Sequence, residues 1–259
     1  MHSVFFLNFF SISILVCTVF YLLVAVVIFT QIPEKSRATR ILGFGYLFSG
    51  LLAFAFFPPH STYLPVMAHH RWLSVPAALL THTFFAQVFY HFPEPRFSRA
   101  GRILFYVQVT MALAITGVFY YVTLSRDYQY SFSAQLWDFD SDDVSRLVAA
   151  GIFLNILHVL IAGIVHTIAR KGRRILVASL TAAFTCTLLL PTVTNVLSRD
   201  GLLERDIHQT VLVIMSIIGL FSVLIIYLNN TTDKTTFMVK VVGVSLVTLR
   251  CQHVTQEQV

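Results

Sequence analysis

Polar side chains interrupt the apolar runs of this sequence at a few positions, and these are the groups that could do chemistry. His82, Asn155 and His158 lie inside runs that are mostly apolar, and His166 shares one helical arc with Asn155 and His158. A polar group in hydrocarbon is costly and needs a partner or a function. These side chains therefore either tie neighbouring helices together or line a ligand cavity or proton-sensitive network, because histidine titrates near neutral pH.

Paired histidines raise the question of a haem. His82 with His158, and His91 with His166, are predicted at matching depths on two helices, as bis-histidine ligation of two haems would need. His82 and His91 lie on one helix, and His158 and His166 lie on the other. Along each helix, however, the two histidines are only about 12–14 Å apart at 1.5 Å per residue, which is too close for two stacked haems. We predict that the protein binds no cofactor, with a b-type cytochrome as the alternative that an absorption spectrum would test.

A second histidine group, His60, His69 and His70, precedes the third apolar run. The adjacent His69 and His70 point in different directions in any regular structure, and no suitably spaced Cys or acid accompanies them, so we predict no metal site. The last apolar run contains no lysine for a retinal Schiff base, which excludes a retinal pigment.

Catalytic motifs are missing from the sequence. It contains no phosphate-binding glycine loop, no nucleophile elbow and no zinc-type His-Glu pair. No Asp or Glu lies inside any of the apolar runs, which disfavours proton pumps and cation-coupled transporters. We predict that the chain is not an enzyme.

The connection Ser125–Arg146 combines aromatic and acidic residues. Its length and composition predict either a folded cap that faces a ligand or a belt of aromatic residues at the membrane surface. From this connection we select Trp137, Asp138 and Asp140 as candidate ligand-binding residues, together with His82, Asn155 and His158 in the apolar runs.

The composition of the chain predicts that membrane-spanning helices position these residues. Of the 259 residues, 56% are hydrophobic and only 12% are charged, and the mean hydropathy is +0.76. A soluble domain carries about a quarter charged residues, so this composition indicates an integral membrane protein. Seven runs are long enough to cross a bilayer as helices, which predicts an all-α seven-helix bundle. The runs are Phe5–Thr30, Ile41–Pro58, Trp72–Phe92, Ile103–Leu124, Leu147–Ala169, Ile175–Leu197 and Thr210–Leu228.

Basic residues predict the orientation of the bundle. The connections Gln31–Arg40, Pro93–Arg102 and Arg170–Arg174 hold ten Lys and Arg, whereas the alternate connections hold five and most of the acids. Positive residues favour the cytoplasm, so we expect the N-terminus outside and the C-terminus inside a bacterial-type inner membrane. The net charge of +6 is then mostly a topology signal, and a nucleic-acid partner is excluded.

Two domains are predicted: a membrane domain, residues 1–228, and a tail, residues 229–259. The tail opens with a polar joint, Asn229–Lys240, and continues into Val241–Leu249. This second segment is too short to span as a helix. It is either a short helix on the inner surface or, as we favour, the start of an eighth span cut off by truncation.

The pattern resembles the N-terminal seven-helix sensory module of bacterial membrane receptors. The resemblance covers about residues 1–240 and rests on Arg37–Arg40, on Trp72 with Pro76, on His91–Pro95, and on the Asn-Asn-Thr-Thr-Asp-Lys-Thr-Thr joint at 229–236. Such modules precede histidine kinase, cyclase, diguanylate cyclase or phosphatase domains, and their membrane part has no defined catalytic residues. This sequence departs from the pattern because no output domain follows.

The resemblance implies a sensory input module of the kind found in two-component signalling. Its partners would be the lipid bilayer, a cytoplasmic signalling protein or a missing C-terminal domain, and a second copy of the chain. A stripe of small residues, Gly45, Ser49 and Ala53, would serve close packing within the bundle or in such a homodimer. The alternative function is a small transporter or permease subunit, which predicts solute flux where the sensor predicts binding without flux.

Overall fold

The computed structural model describes residues 5–32, 35–131, 136–140, 142–231 and 233. Within these residues, seven helices are long and apolar enough to cross a membrane, which confirms the predicted number of spans and is the architecture of a multi-pass membrane protein. The helices are α1 (Phe9–Gln31), α2 (Arg37–Phe56), α3 (His70–His91), α4 (Ser98–Thr123), α5 (Asp142–Ala169), α6 (Arg174–Arg199) and α7 (Arg205–Asn230).

Most of the helices extend beyond their apolar runs, and side-chain caps mark the starts of α1 and α2. The helix α2 begins at Arg37, four residues before the predicted Ile41, and the hydroxyl of Ser36 accepts from the Thr39 N–H at 3.2 Å. The helix α1 instead begins later than predicted, at Phe9, after a capping box. The predicted first residue, Phe5, forms an isolated β-bridge with Thr62.

The helices pack in chain order, and α1 also packs against α7, which closes the bundle. The helix α3 contacts α2, α4 and α5, and it is the most deeply buried span. Phenylalanine rings fill the core around it: the centroids of Phe85 and Phe184 are 4.9 Å apart, and those of Phe89 and Phe184 are 5.7 Å apart. A shift of α3 would therefore disturb most of the bundle.

Small residues permit close approach of the helices. A Cβ atom at Gly45 would overlap the Phe85 ring of α3, and one at Gly219 of α7 would overlap the Thr187 hydroxyl of α6. Gly45, Ser49 and Ala53 are all buried within the chain. The stripe therefore serves packing inside the bundle, which is the first of its two predicted uses.

The connection between α4 and α5 is folded, as the cap interpretation requires. Strand β1 (Tyr128–Ser131) pairs antiparallel with β2 (Leu136–Phe139), with Tyr130 opposite Trp137. This two-stranded hairpin is a departure from the all-α prediction. We call the end of the bundle that carries it the hairpin end, and the opposite end, with the connections α1–α2, α3–α4 and α5–α6, the basic end.

The tail predictions fall largely outside the described residues. Of the joint Asn229–Lys240, the structure describes residues 229–231 and 233. The whole of Val241–Leu249, predicted as an eighth span or a surface helix, lies beyond them.

Candidate functional site

Two of the candidate residues in the hairpin anchor it to the bundle. The indole Nε1 of Trp137 donates to the backbone carbonyl of Tyr63 at 3.0 Å. The carboxylate of Asp138 lies 3.4 Å from Nε of Arg71, the second residue of α3, and both side chains are partly exposed. The hairpin is thus fastened to the segment before α3 and to α3 itself.

The third hairpin candidate, Asp140, makes no such contact. It is exposed, and its backbone N–H donates to the carbonyl of Asp127 at 3.2 Å. Its carboxylate forms no ion pair within the part of the chain that the structure describes. Asp140 therefore does not help to anchor the hairpin through its side chain among the described residues.

Aromatic rings pack beneath the hairpin around His69. The His69 ring centroid lies 4.6 Å from that of Trp72, 5.3 Å from Phe139 and 5.7 Å from Tyr128. The Trp72 indole in turn donates to the Thr123 hydroxyl at 3.0 Å. This arrangement couples α3 to α4 and β2 through ring contacts, which sequence reasoning did not identify.

The three histidines near the hairpin each bond to their own chain. Nδ1 of His60, His69 and His70 lies 2.8–3.0 Å from a backbone carbonyl three or four residues earlier. A carbonyl only accepts, so Nδ1 carries the proton in each ring. In the described ranges, no group of three His, Cys, Asp or Glu side chains is arranged to hold a metal ion.

Inside the bundle, Asn155 of α5 joins three helices. Its Oδ1 accepts from Gln108 Nε2 of α4 at 2.8 Å, and its Nδ2 donates to the Leu79 carbonyl of α3 at 3.2 Å. Both amide side chains are buried. Asn155 therefore ties α3, α4 and α5 together, as the structural interpretation of the buried polar groups requires.

The two candidate histidines in the bundle, His158 and His82, have different partners. Nε2 of His158 lies 2.9 Å from the Tyr90 hydroxyl of α3, and the Tyr90 ring also packs edge-on against His166 at 5.0 Å. The helical arc predicted for His158 and His166 thus faces one tyrosine. His82, by contrast, bonds from Nδ1 to the Ala78 carbonyl of its own helix.

At the basic end, a buried arginine holds the α3–α4 connection. Arg170 is only 8% exposed, and its guanidinium donates to the carbonyls of Phe89 at 3.3 Å and Glu94 at 2.6 Å. Burial, and next the nearby Arg96, lowers the pKa of Arg170. Sequence reasoning used Arg170 only as a loop charge that sets orientation, because its partners lie more than 70 positions away.

The polar joint after α7 is fastened to the start of α2. The Ser36 N–H donates to the Asp233 carboxylate at 3.0 Å, and the Thr39 hydroxyl donates to the same oxygen. Since the Thr39 proton is used there, the Tyr227 hydroxyl of α7, 2.7 Å away, donates to Thr39. The partial positive charge at the start of a helix favours a carboxylate in this position. We call Ser36, Thr39, Tyr227 and Asp233 the joint latch.

The six candidate residues do not converge on one site. Trp137, Asp138 and Asp140 lie at the hairpin end, whereas His82, Asn155 and His158 lie in the bundle, and Asn155 and His158 bond to different partners. No protein-family model matches this chain, and no curated protein matches its sequence. The contacts described above are therefore the basis for any functional conclusion.

Proposed function

We propose that this chain is a membrane-embedded sensory input module. A stimulus at the hairpin end or within the bundle shifts helix packing, and α7 passes the shift to an output domain or partner protein beyond the joint. The single observation that carries this proposal is the joint latch, since it fixes the segment that leads out of the membrane to a second helix. A segment held in this way can be released or moved by a change in the bundle.

A continuous set of contacts supports a route through α3. Near its start, Arg71 meets Asp138 of the hairpin. Just past its end, the ring of Phe92 packs on that of Tyr227, with centroids 4.5 Å apart. Tyr227 belongs to the latch, so the most buried helix touches both the hairpin and the exit of α7. Displacing α3 would change the contacts of both.

The orientation and partners are part of the proposal. The basic end faces the cytoplasm of a bacterial-type inner membrane, because its connections hold ten of the Lys and Arg against five at the hairpin end. The hairpin, with the exposed carboxylate of Asp140, then faces outside, where stimuli arrive. The output is a cytoplasmic signalling protein or domain, and a second copy of the chain is a candidate partner.

Hydrogen–deuterium exchange on the full chain in lipid nanodiscs tests the proposal. Replacing Arg71→Gln removes the ion pair that holds the hairpin on α3. We expect faster exchange both in the hairpin and in peptides that cover residues 229–240. Coupling free energies are reciprocal, so Asp233→Asn should speed exchange in the hairpin.

The matched control is Arg126→Gln, which removes the same charge from the same end. Arg126 is exposed and forms no ion pair within the described ranges, so exchange at the joint should not change. If each substitution alters exchange only at its own end, the proposed coupling is wrong. Rapid recovery of proteoliposome volume after shocks with small solutes, above that of protein-free vesicles, would instead favour the transporter.

A further inference from the structure

A groove opens at the basic end, between the start of α6 and the end of α7. Its volume is about 590 Å³. Its lining includes three cationic residues, Lys171, Arg173 and Arg174, and three apolar residues, Ile175, Leu176 and Ile226. It belongs to neither the hairpin contacts nor the joint latch, so its role is independent of the sensory function proposed above.

Positive charge in the groove is largely uncompensated. Among the described residues that line it, none is an Asp or a Glu. Arg173 lies 3.7 Å from the exposed carboxylate of Glu94, and neither Lys171 nor Arg174 forms an ion pair in the part of the chain that is described. The groove therefore suits an anion.

Backbone donors add to this positive potential. The 26-residue helix α6 begins at Arg174, beside the groove, and the preceding residue, Arg173, provides no side-chain cap. The first N–H groups of a helix lack partners within the helix, and the aligned peptide dipoles place partial positive charge there. Phosphate oxygens are suitable acceptors for such groups.

The apolar residues of the lining indicate which class of anion the groove binds. Ile175 is 83% exposed, and Leu176 and Ile226 continue the apolar surface at the point where the two helices enter the bilayer. An inorganic phosphate would leave this surface uncovered. A phosphate joined to acyl chains would contact the cationic and the apolar residues of the groove at the same time.

We propose that this groove binds the headgroup of an anionic phospholipid. Lys171 and Arg174 contact the phosphate, the first N–H groups of α6 face it, and the acyl chains lie along Ile175 and Ile226. Basic pockets between transmembrane helices bind anionic headgroups in this manner.

Native mass spectrometry of the detergent-solubilised full chain tests the proposal. The protein is titrated with phosphatidylglycerol or with phosphatidylcholine of the same acyl chains. We expect preferential retention of phosphatidylglycerol. The double variant Lys171→Gln/Arg174→Gln should weaken its binding roughly 30-fold, at the free energy typical of two interfacial cations. Excess glycerol phosphate should not compete, because it lacks the acyl chains.

Two further variants keep the result specific to the groove. Arg99→Gln/Arg102→Gln removes the same charge from exposed positions of α4 at the same end and should leave binding nearly unchanged. Ser179→Phe fills the groove without altering its charge and should abolish the preference. The proposal is overturned if the α4 pair weakens binding equally, or if Ser179→Phe has no effect. Equal retention of the two lipids by the wild type would also overturn it.

Discussion

At the hairpin end, Arg71 lies 3.4 Å from the carboxylate of Asp138, whereas at the basic end Arg170 is buried and its guanidinium donates to two backbone carbonyls. The first arginine is partly exposed and paired with an acid. The second is buried, and burial, followed by the positive charge of Arg96, lowers its pKa. Two residues of the same type thus do different work.

The difference extends to the rest of each end. At the hairpin end, strand pairing, ring contacts and an ion pair connect the segments to one another. The connections of the basic end carry more cations than acids, and three of these cations line a groove between described residues of α6 and α7. Charged and aromatic groups of the hairpin end thus have partners within the protein, whereas the cations of the basic end are suited to phosphate groups of the bilayer surface.

The largest expected effect comes from Arg170→Ala. The variant leaves the buried carbonyl of Phe89 and the partly buried carbonyl of Glu94 without this donor, and it removes packing between the end of α5 and the α3–α4 connection. We expect the free energy of unfolding to fall by about 2–3 kcal/mol, measured by denaturant titration in mixed micelles. Arg99→Ala, at an exposed position of the same end, should cost less than about 0.5 kcal/mol. Equal losses of stability in the two variants would show that Arg170 contributes no more to the fold than an exposed arginine of the same end.

A second variant tests the close packing of α6 against α7, two helices that run between the ends. In Gly219→Ala the new methyl group overlaps Thr187, so α6 and α7 must separate. Overpacking of this kind costs about 1–3 kcal/mol. Gly117→Ala is the matched control, because a Cβ atom there would meet nothing within 4 Å. If both variants are equally stable, close contact of α6 with α7 does not hold the bundle.

Tyr227→Phe probes the joint latch with a smaller change. It removes the hydroxyl that donates to Thr39 and keeps the ring against Phe92. We expect a loss of about 1 kcal/mol and faster amide exchange around Asp233. Tyr121→Phe, at a position that is 80% exposed, should change neither quantity. Slow exchange around Asp233 in the Tyr227 variant would mean that the latch does not need this hydroxyl.

The smallest effect is expected for Arg71→Gln at the hairpin end. Partly exposed ion pairs contribute about 0.2–1 kcal/mol, and the loss should shrink as salt is added because screening weakens the pair. Thermal unfolding at low and high salt measures this. A loss as large as that of Arg170→Ala, or one that salt does not alter, would contradict the comparison between the two ends.

The bundle itself was predictable because hydrocarbon sets a simple condition. About 20 consecutive apolar residues are needed to span it, and the sequence meets this condition seven times, as the structure confirms. The helix ends were less predictable. Hydropathy identifies only the apolar part of α5, from Leu147, whereas the helix begins at Asp142, where acids suit its first turn.

Side-chain partners were beyond the reach of the sequence. The predicted arc of Asn155, His158 and His166 was correct in that all three face neighbouring helices, but nothing in the sequence identifies Gln108 or Tyr90 as their partners. The contact of Asp233 with Ser36 joins positions 197 residues apart. Such pairs depend on the order in which helices pack, which no local pattern encodes.

Both tryptophans of the chain, Trp72 and Trp137, sit at the hairpin end, each with its indole N–H bonded to the protein. Tryptophan emission, excited at wavelengths that tyrosine does not absorb, therefore reports on that end alone, without any attached dye. A compound that broke either indole hydrogen bond would shift the emission wavelength, whereas a lipid that binds in the groove beside α6 would not change the spectrum.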